Sequence, residues 1–227
     1  MSGFEYEALL LSLKVAAVAT VFALPLAILL AWLLAKTQFP GKALLDILIH
    51  IPMVLPPVVV GFALLSLFGR QGYVGRWLYE NLGIDLAFTW QAAAIAAAVM
   101  ALPLMIRSIR LSMEAIDPKL EQLAASLGAR RFRVFRTITL PLARPGILGA
   151  TILGFARALG EFGATIAFAA NIPGVTQTLP LAVYTALQSP GGEAAATRLS
   201  IIALTIAVIA LLSAEWTARR FKKAQHP

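Results

Sequence analysis

The chain has 227 residues, 59% of them hydrophobic and 13% charged, with a mean hydropathy of +0.82. A soluble domain of this length has no interior large enough for that much apolar surface, and the charges are gathered between long uncharged stretches, so the chain reads as an all-α polytopic membrane protein. The formal charge of +8 belongs to basic residues beside spans rather than to a nucleic-acid surface, and the absence of cysteine excludes disulfides, thiol chemistry and cysteine-ligated metal.

Five spans are predicted within one domain, residues 1–227. The start, Met-Ser-Gly-Phe-Glu-Tyr-Glu, is acidic where a secretory signal is basic. The first apolar run, about 9–35, is also too long for a signal core, so it reads as a retained span. It holds Lys14 near one end and Pro25 inside. The second span, about 47–68, contains Pro52, Pro56 and Pro57, which either kink the helix to fit its neighbours or shape a gate by freeing backbone carbonyls. The third, about 88–106, is alanine-rich and has Pro103 near its end.

A polar block follows, about 118–139. Asp117 is a good N-cap and Pro118 suits the first helical position, where its missing N–H costs nothing. Gly128 supplies the left-handed residue that commonly closes a helix. Between them Leu120, Leu123, Ala124 and Leu127 fall at i, i+3, i+4 and i+7, one apolar stripe on a short helix. A second short helix, about 130–139, follows, and Pro141 and Pro145 then break the chain. Two readings of the stripe stand at this level. It lies on the membrane surface, with basic residues on anionic lipid, or it docks helix-in-groove onto a protein partner. Ala124, Ala125, Ser126 and Gly128 border the stripe and favour the close approach of a partner backbone.

The fourth span, about 146–170, holds Arg157 and Glu161 at an i, i+4 spacing, which puts them on one helix face. A lone charge at that depth costs roughly 2.5–3.5 kcal/mol on insertion scales, so neither should face lipid. The pair reads as a structural lock between helices, as part of the lining or gate of an anion path, or as both. Gly154, Gly160 and Gly163 would let neighbouring helices come close around it. The segment 171–198 has an apolar centre, Leu179 to Leu187, too short to cross a bilayer, and reads as re-entrant or interfacial, with 174–190 the stretch that would re-enter. The fifth span is about 199–216. Trp32, Trp77, Trp90 and Trp216 lie near span ends, as interfacial anchors do.

Orientation follows from the basic residues. Lys36, Lys42, Arg107, Arg110, Lys119, Arg130, Arg131, Arg133, Arg136, Arg144, Arg219, Arg220, Lys222 and Lys223 collect on one side, fourteen in all. The other side has three, Arg70, Arg76 and Arg198. The positive-inside rule therefore predicts the N-terminus outside, with the C-terminus and the polar block in the cytoplasm. With two histidines, His50 and His226, no built-in metal site or resident cofactor is expected. Glu114, Asp117 and Glu121 read as capping and docking groups. No GxxxxGK[ST] loop is present, so this chain is expected not to be an enzyme, and any ATP hydrolysis falls to a partner.

Gly128, nine residues, then Ile138-Thr139-Leu140-Pro141 resembles the signature of permease subunits of binding-protein-dependent ABC importers: Glu-Ala-Ala, three residues, Gly, nine residues, Ile, one residue, Leu-Pro. Here Gln122, Leu123 and Ala124 stand at the Glu-Ala-Ala positions, and Glu121 precedes them. Either Glu121 or Gln122 could then make the polar contact with a partner. The run Phe155-Ala156-Arg157-Ala158-Leu159-Gly160-Glu161-Phe162-Gly163-Ala164 is very similar to the molybdate and sulfate branch of that family. Likeness continues through Phe39-Pro40-Gly41-Lys42, the run Leu55 to Gly61, and the segments 171–174 and 188–193.

In compact length and in its outer segment the chain looks most like the molybdate members, with sulfate or thiosulfate members the alternative and a passive anion channel more remote. The resemblance implies the ABC importer permease fold in a bacterial inner membrane and alternating access for molybdate, and tungstate is a further candidate cargo. It also implies a second copy of the chain, two cytoplasmic ATP-binding subunits docked on the 118–128 helix, and a periplasmic molybdate-binding protein. Some members carry a further N-terminal span, which this chain is expected to lack, consistent with five spans and an outside N-terminus.

Overall fold

A computed structural model describes residues 3–225, and in the last helix it describes side chains through Trp216, position 214 excepted. Among the described residues every regular element is helical. The basic side chains Arg219, Arg220, Lys222 and Lys223, and His226, all invoked above, lie outside the described residues.

The first helix, α1 (Gly3–Lys36), contains the expected first span and carries Pro25 without breaking. Next, α2 (Lys42–Val54) and α3 (Pro57–Phe68) divide the stretch expected as one second span, with a bend of 113° between them. The division follows from adjacent prolines. Leu55 precedes Pro56 and is forced into extended backbone (φ −71°, ψ 145°), Pro56 offers no N–H, and Pro57 opens a new helix as its first residue. A short amphipathic helix, α4 (Tyr73–Leu82), leads to α5 (Trp90–Glu114). The Thr89 hydroxyl caps α5 by accepting from the Ala92 N–H at 3.2 Å. Pro103 lies well inside α5, which runs eight residues past the predicted third span because the polar turns Arg107 to Glu114 remain helical.

Within the polar block α6 (Pro118–Ser126) is followed by α7 (Arg131–Val134), which passes through a π-helical turn (Phe135–Thr139) into α8 (Leu140–Leu142). The chain bends by 69° at Ala143 into α9 (Arg144–Leu159). Pro141 therefore widens the helix instead of ending it: it has no N–H for the ladder, and the Leu140 N–H just before it bonds five residues back to the Phe135 carbonyl. The expected fourth span is also divided, α9 stopping at Leu159 and α10 (Gly163–Ala169) starting after a three-residue break. The remaining helices are α11 (Leu179–Gln188), within the segment read as re-entrant or interfacial, and α12 (Glu193–Gln225).

Three stretches are long and apolar enough to cross a membrane, namely α1, α5 and Glu193–Ser213 of α12. Two bent pairs pass that test only jointly, α2 with α3 and Arg131–Leu142 with α9, which gives up to five spans among the described residues.

The core centres on an α1–α5 contact rich in alanine. Ala16, Ala19, Ala23, Ala27 and Ala31 recur at three to four residues along α1, and Ala92, Ala93, Ala96, Ala97 and Ala101 answer them on α5, all buried. In lipid no hydrophobic force pulls helices together, so association rests on close van der Waals packing, which small side chains permit. Larger side chains, Leu34 of α1 and Met105, Ile106 and Ile109 of α5 among them, are buried farther along the two helices, while Val21, Phe22, Leu29, Leu204 and Ile209 point outward.

The two ends of the bundle are tied differently. At the end holding the start of α1, Arg198 donates to the buried Glu5 at 2.7 and 3.2 Å, and the Leu179 N–H donates to Ser12 Oγ at 2.5 Å. Lys14 lies 3.8 Å over the Trp90 ring there. At the opposite end Lys36 closes α1 against the polar block.

Candidate functional site

The block assembles as the residue pattern requires. Asp117 accepts from the Lys119 N–H at 2.9 Å, and Pro118 begins α6. Gly128 has φ +86°; its N–H bonds to the Ala125 carbonyl at 3.0 Å, and the Ala129 N–H bonds to the Ala124 carbonyl at 3.1 Å. That pair of bonds is a Schellman closure, which needs a left-handed residue at position 128. With both ends capped, the stripe is held outward. Leu120, Leu123 and Leu127 are 46%, 62% and 82% exposed, and Phe132 of α7 stands exposed beside them. Ala124 is half-buried, and Ile138, Leu140 and Pro141 are half-buried at the turn toward α9.

The two candidate polar residues of α6 point in opposite directions. Gln122 is exposed. Glu121 turns back into the bundle, where one carboxylate oxygen is 3.0 Å from Lys36 Nζ and the other accepts from the Thr139 hydroxyl at 2.6 Å. These groups line a cavity of about 310 Å³ between the end of α1 and the block. Trp32, expected as an interfacial anchor, packs against Phe135 there in a tilted arrangement, with ring centroids 5.2 Å apart. The partners of Glu121 were not foreseen from the sequence. In the sequence Lys36 bears only on orientation, and Thr139 is only the variable position of the signature.

The second candidate site is the Arg157–Glu161 pair. Arg157 Nη1 donates to Glu161 Oε2 at 2.6 Å, so the i, i+4 contact forms. The two do not share a helix face as expected, because α9 ends at Leu159 and Glu161 lies in the break. There its second oxygen accepts from the Ala164 N–H at 2.9 Å, so one carboxylate joins the end of α9 to the first turn of α10. Phe162, also in the break, packs against Tyr184 of α11.

Glu161 is 3% exposed, whereas the Arg157 side chain is 34% exposed. Arg157 enters a cavity of about 180 Å³ otherwise lined by Pro52, Met53, Leu55, Pro57, Met100 and Leu104. The cavity is the elbow of the broken second span, and it holds one cation among apolar walls.

The glycines expected around this pair divide. A Cβ on Gly163 would sit 2.8 Å from Pro57 Cβ, and one on Gly61 would sit 2.5 Å from the Ala164 carbonyl, so α3 and α10 touch backbone to backbone. Gly154 instead makes room for the Met105 side chain, whose Sδ would lie 2.5 Å from a Cβ there. Gly160 does not: a Cβ there would meet only the Ala156 carbonyl, at an ordinary 3.7 Å, and its place is the end of α9.

A third cluster was missed. Arg110 donates to Asp46 Oδ2 at 2.9 Å and to Glu114 Oε1 at 2.8 Å, and His50 Nδ1 lies 3.3 Å from Asp46 Oδ1. It fastens α2 to α5, so Glu114, expected as a capping or docking group, has an intramolecular partner. The signal was available in two i, i+4 pairs, Asp46 with His50 and Arg110 with Glu114, at the ends of adjacent apolar runs.

Residues 23–223 match the family described as binding-protein-dependent transport system inner membrane component. The chain belongs to that family. It is 59% identical over 215 residues to the molybdenum transport system permease protein ModB of Escherichia coli (strain K12), covering 95% of this chain and 94% of that one. The protein of the same name from Haemophilus influenzae is 52% identical over 219 residues, covering 96% of each. The sulfate transport system permease protein CysT of Escherichia coli is more distant, 36% identical over 216 residues, covering 95% of this chain and 76% of that one. Among solved structures, a bacterial alginate ABC transporter in complex with its pentasaccharide-bound periplasmic protein superposes with a TM-score of 0.75 at 19% identity. It covers 98% of this chain and 81% of that one. The all-helical fold is therefore that of ABC importer permeases, and the chain is a transport component of a membrane.

Proposed function

We propose that this chain is the membrane-spanning permease of an ATP-driven molybdate importer in a bacterial inner membrane. Two copies enclose the path, two cytoplasmic ATP-hydrolysing subunits dock on α6, and a periplasmic molybdate-binding protein delivers the anion. The N-terminus lies outside and the C-terminus in the cytoplasm, which gives the polar block to the cytoplasm.

The observation that carries the reading is the exposed stripe of α6. Leu120, Leu123 and Leu127 project from a helix locked at both ends, and Gln122 stands beside them. A rigid helix presenting apolar anchors suits insertion into a groove of a folded partner, where anchor burial supplies affinity and preorganisation spares entropy. The molybdate assignment follows the names of the relatives at 59% and 52% identity. The acceptor-only surface of a tetrahedral dianion fits a path holding Arg157.

In the proposed path Arg157 attracts the anion and Glu161 tempers it. A cation held by a buried carboxylate binds a dianion less tightly than a free one, which favours release as much as entry. Glu161 is fixed by the Ala164 N–H, so separating the pair displaces Arg157 more readily than Glu161. ATP-driven closure of the partner subunits moves α6, the bundle opens outward to the binding protein, and hydrolysis returns it inward.

The test is uptake of labelled molybdate by proteoliposomes holding the full complex. Wild type should give ATP-dependent uptake competed by tungstate and weakly by sulfate. Leu123→Asp and Gly128→Asp should lose both uptake and co-purifying ATPase while still inserting. Uptake that persists in these variants, or that needs no ATP, would refute the reading.

A further inference from the structure

We infer that Glu121 is the positioning residue through which movement of α6 reaches the transport helices: its carboxylate ties α6 at once to the last residue of α1 and to the π-helical turn that leads into α9. The inference rests on the reading of α6 as the ATPase-docking helix and adds the route by which docking is felt inside the bundle.

Three observations carry it. First, both carboxylate oxygens are used within the chain, one by Lys36 Nζ at 3.0 Å and the other by the Thr139 hydroxyl at 2.6 Å. Glu121 is thus turned inward and held there, whereas Gln122, the next residue, is exposed. On this orientation Gln122 is the residue placed to meet a docked subunit, and Glu121 serves the inside. Second, the contact is sheltered. The side chains of Lys36 and Glu121 are 16% and 18% exposed, and Thr139 is buried, so salt and water screen the pair less than an ordinary surface pair.

Third, the elements joined are levers. Lys36 ends a 34-residue helix packed along α5, and its charge there also suits the negative end of the helix dipole. Thr139 ends the widened turn directly before α8 and the 69° bend into α9, the helix that carries Arg157. A π-turn has one loosened rung and is a place where a helix can change register. Motion of α6 thus pulls on the bundle through one carboxylate in two directions. Phe135 on Trp32 adds an apolar contact along the same line.

The experiment uses the assembled permease–ATPase complex in proteoliposomes and reads molybdate taken up per ATP hydrolysed. Lys36→Met and Thr139→Val should retain the ATPase subunits but lower that ratio about fivefold or more, the scale of a typical coupling energy between sites. Lys36→Glu should be worse, and the swap Lys36→Glu with Glu121→Lys should recover part of the loss. Three results would overturn the inference: an unchanged ratio in Lys36→Met, a swap no better than Lys36→Glu alone, or a Glu121→Gln complex that sheds its ATPase, which would make Glu121 a partner contact. A wild-type permease that holds no ATPase would overturn the docking reading and this inference with it. An assembled, coupled wild type with unaffected variants overturns the inference alone.

Discussion

The Arg157–Glu161 and Lys36–Glu121 contacts use the same chemistry at 2.6 and 3.0 Å, yet the chain deploys them differently. The first spans four residues, buries its carboxylate almost fully and leaves a third of its cation open to a cavity. The second spans 85 positions and shelters both partners about equally. A local pair needs little tertiary structure to form, so it can hold a cation in place while the cation remains available. A long-range pair forms only when the elements bearing it are already in register, so both of its charges are spent on that register. We propose from this contrast that the span pair is a site and the block pair a joint.

The sharpest way to break the contrast is to remove the buried carboxylate of the site. Glu161→Leu leaves Arg157 without its partner and the Ala164 N–H without its acceptor. We expect ~3 kcal/mol of destabilisation, the lower end for a broken buried pair, because a third of Arg157 opens into the elbow cavity. Unfolding in detergent measures it, and Glu161→Gln should lose less, since the amide oxygen can still accept from Ala164. Equal stability of Glu161→Leu and wild type would remove the tie between α9 and α10.

Next in size is the frame around that site. Gly163→Leu and Gly61→Leu each drive a side chain into the α3–α10 contact, and an overpacked core typically loses about 1–3 kcal/mol. Both should also lower uptake, because the elbow cavity beside Arg157 is walled by Pro57 of α3. Neither should release the ATPase from the complex, since α6 lies at the other end. Release would mean that site and joint are one unit.

The joint is tested by a subtler change. Thr139→Val removes the hydroxyl that donates to Glu121 but leaves the Lys36 contact, and a hydrogen bond to a charged acceptor contributes roughly 1.5–3 kcal/mol. The expected loss lies at the low end of that range, because Lys36 still satisfies the carboxylate, and Thr139→Ser should restore it. Thermal unfolding of the three proteins in one detergent decides the point.

What could be read from residues alone was what local chemistry determines. Asp117-Pro118 and Gly128 delimit α6 because capping and left-handed backbone are properties of a few consecutive residues. The i, i+4 spacing of Arg157 and Glu161 brought them together even though the helix between them stops. Hydropathy located the apolar stretches but not the bends inside them. A window of mean hydropathy is blind to Leu55-Pro56-Pro57 turning the chain by 113°, or to Gly160–Phe162 interrupting the fourth span. The partners of Glu121 were out of reach for a different reason: Lys36 and Thr139 lie 85 and 18 positions away, and only the packed bundle brings them within hydrogen-bond distance.

The smallest expected effect is the one that best separates sequence pattern from geometry. Gly160 looks like Gly163 in the sequence, three residues away and also close to the charged pair. In the structure it has φ −87°, a backbone that any residue adopts, and a Cβ there meets nothing closer than 3.7 Å. Replacing it also narrows the unfolded ensemble, which favours the folded state when the native backbone fits. Gly160→Ala should therefore leave the unfolding midpoint unchanged or raise it by a margin corresponding to about 0.4–1 kcal/mol. Gly163→Ala places its Cβ 2.8 Å from Pro57 and should lower the midpoint. Measured side by side, the two alanines should move in opposite directions. If both destabilise equally, the break between α9 and α10 depends on glycine itself rather than on the Glu161 carboxylate that spans it.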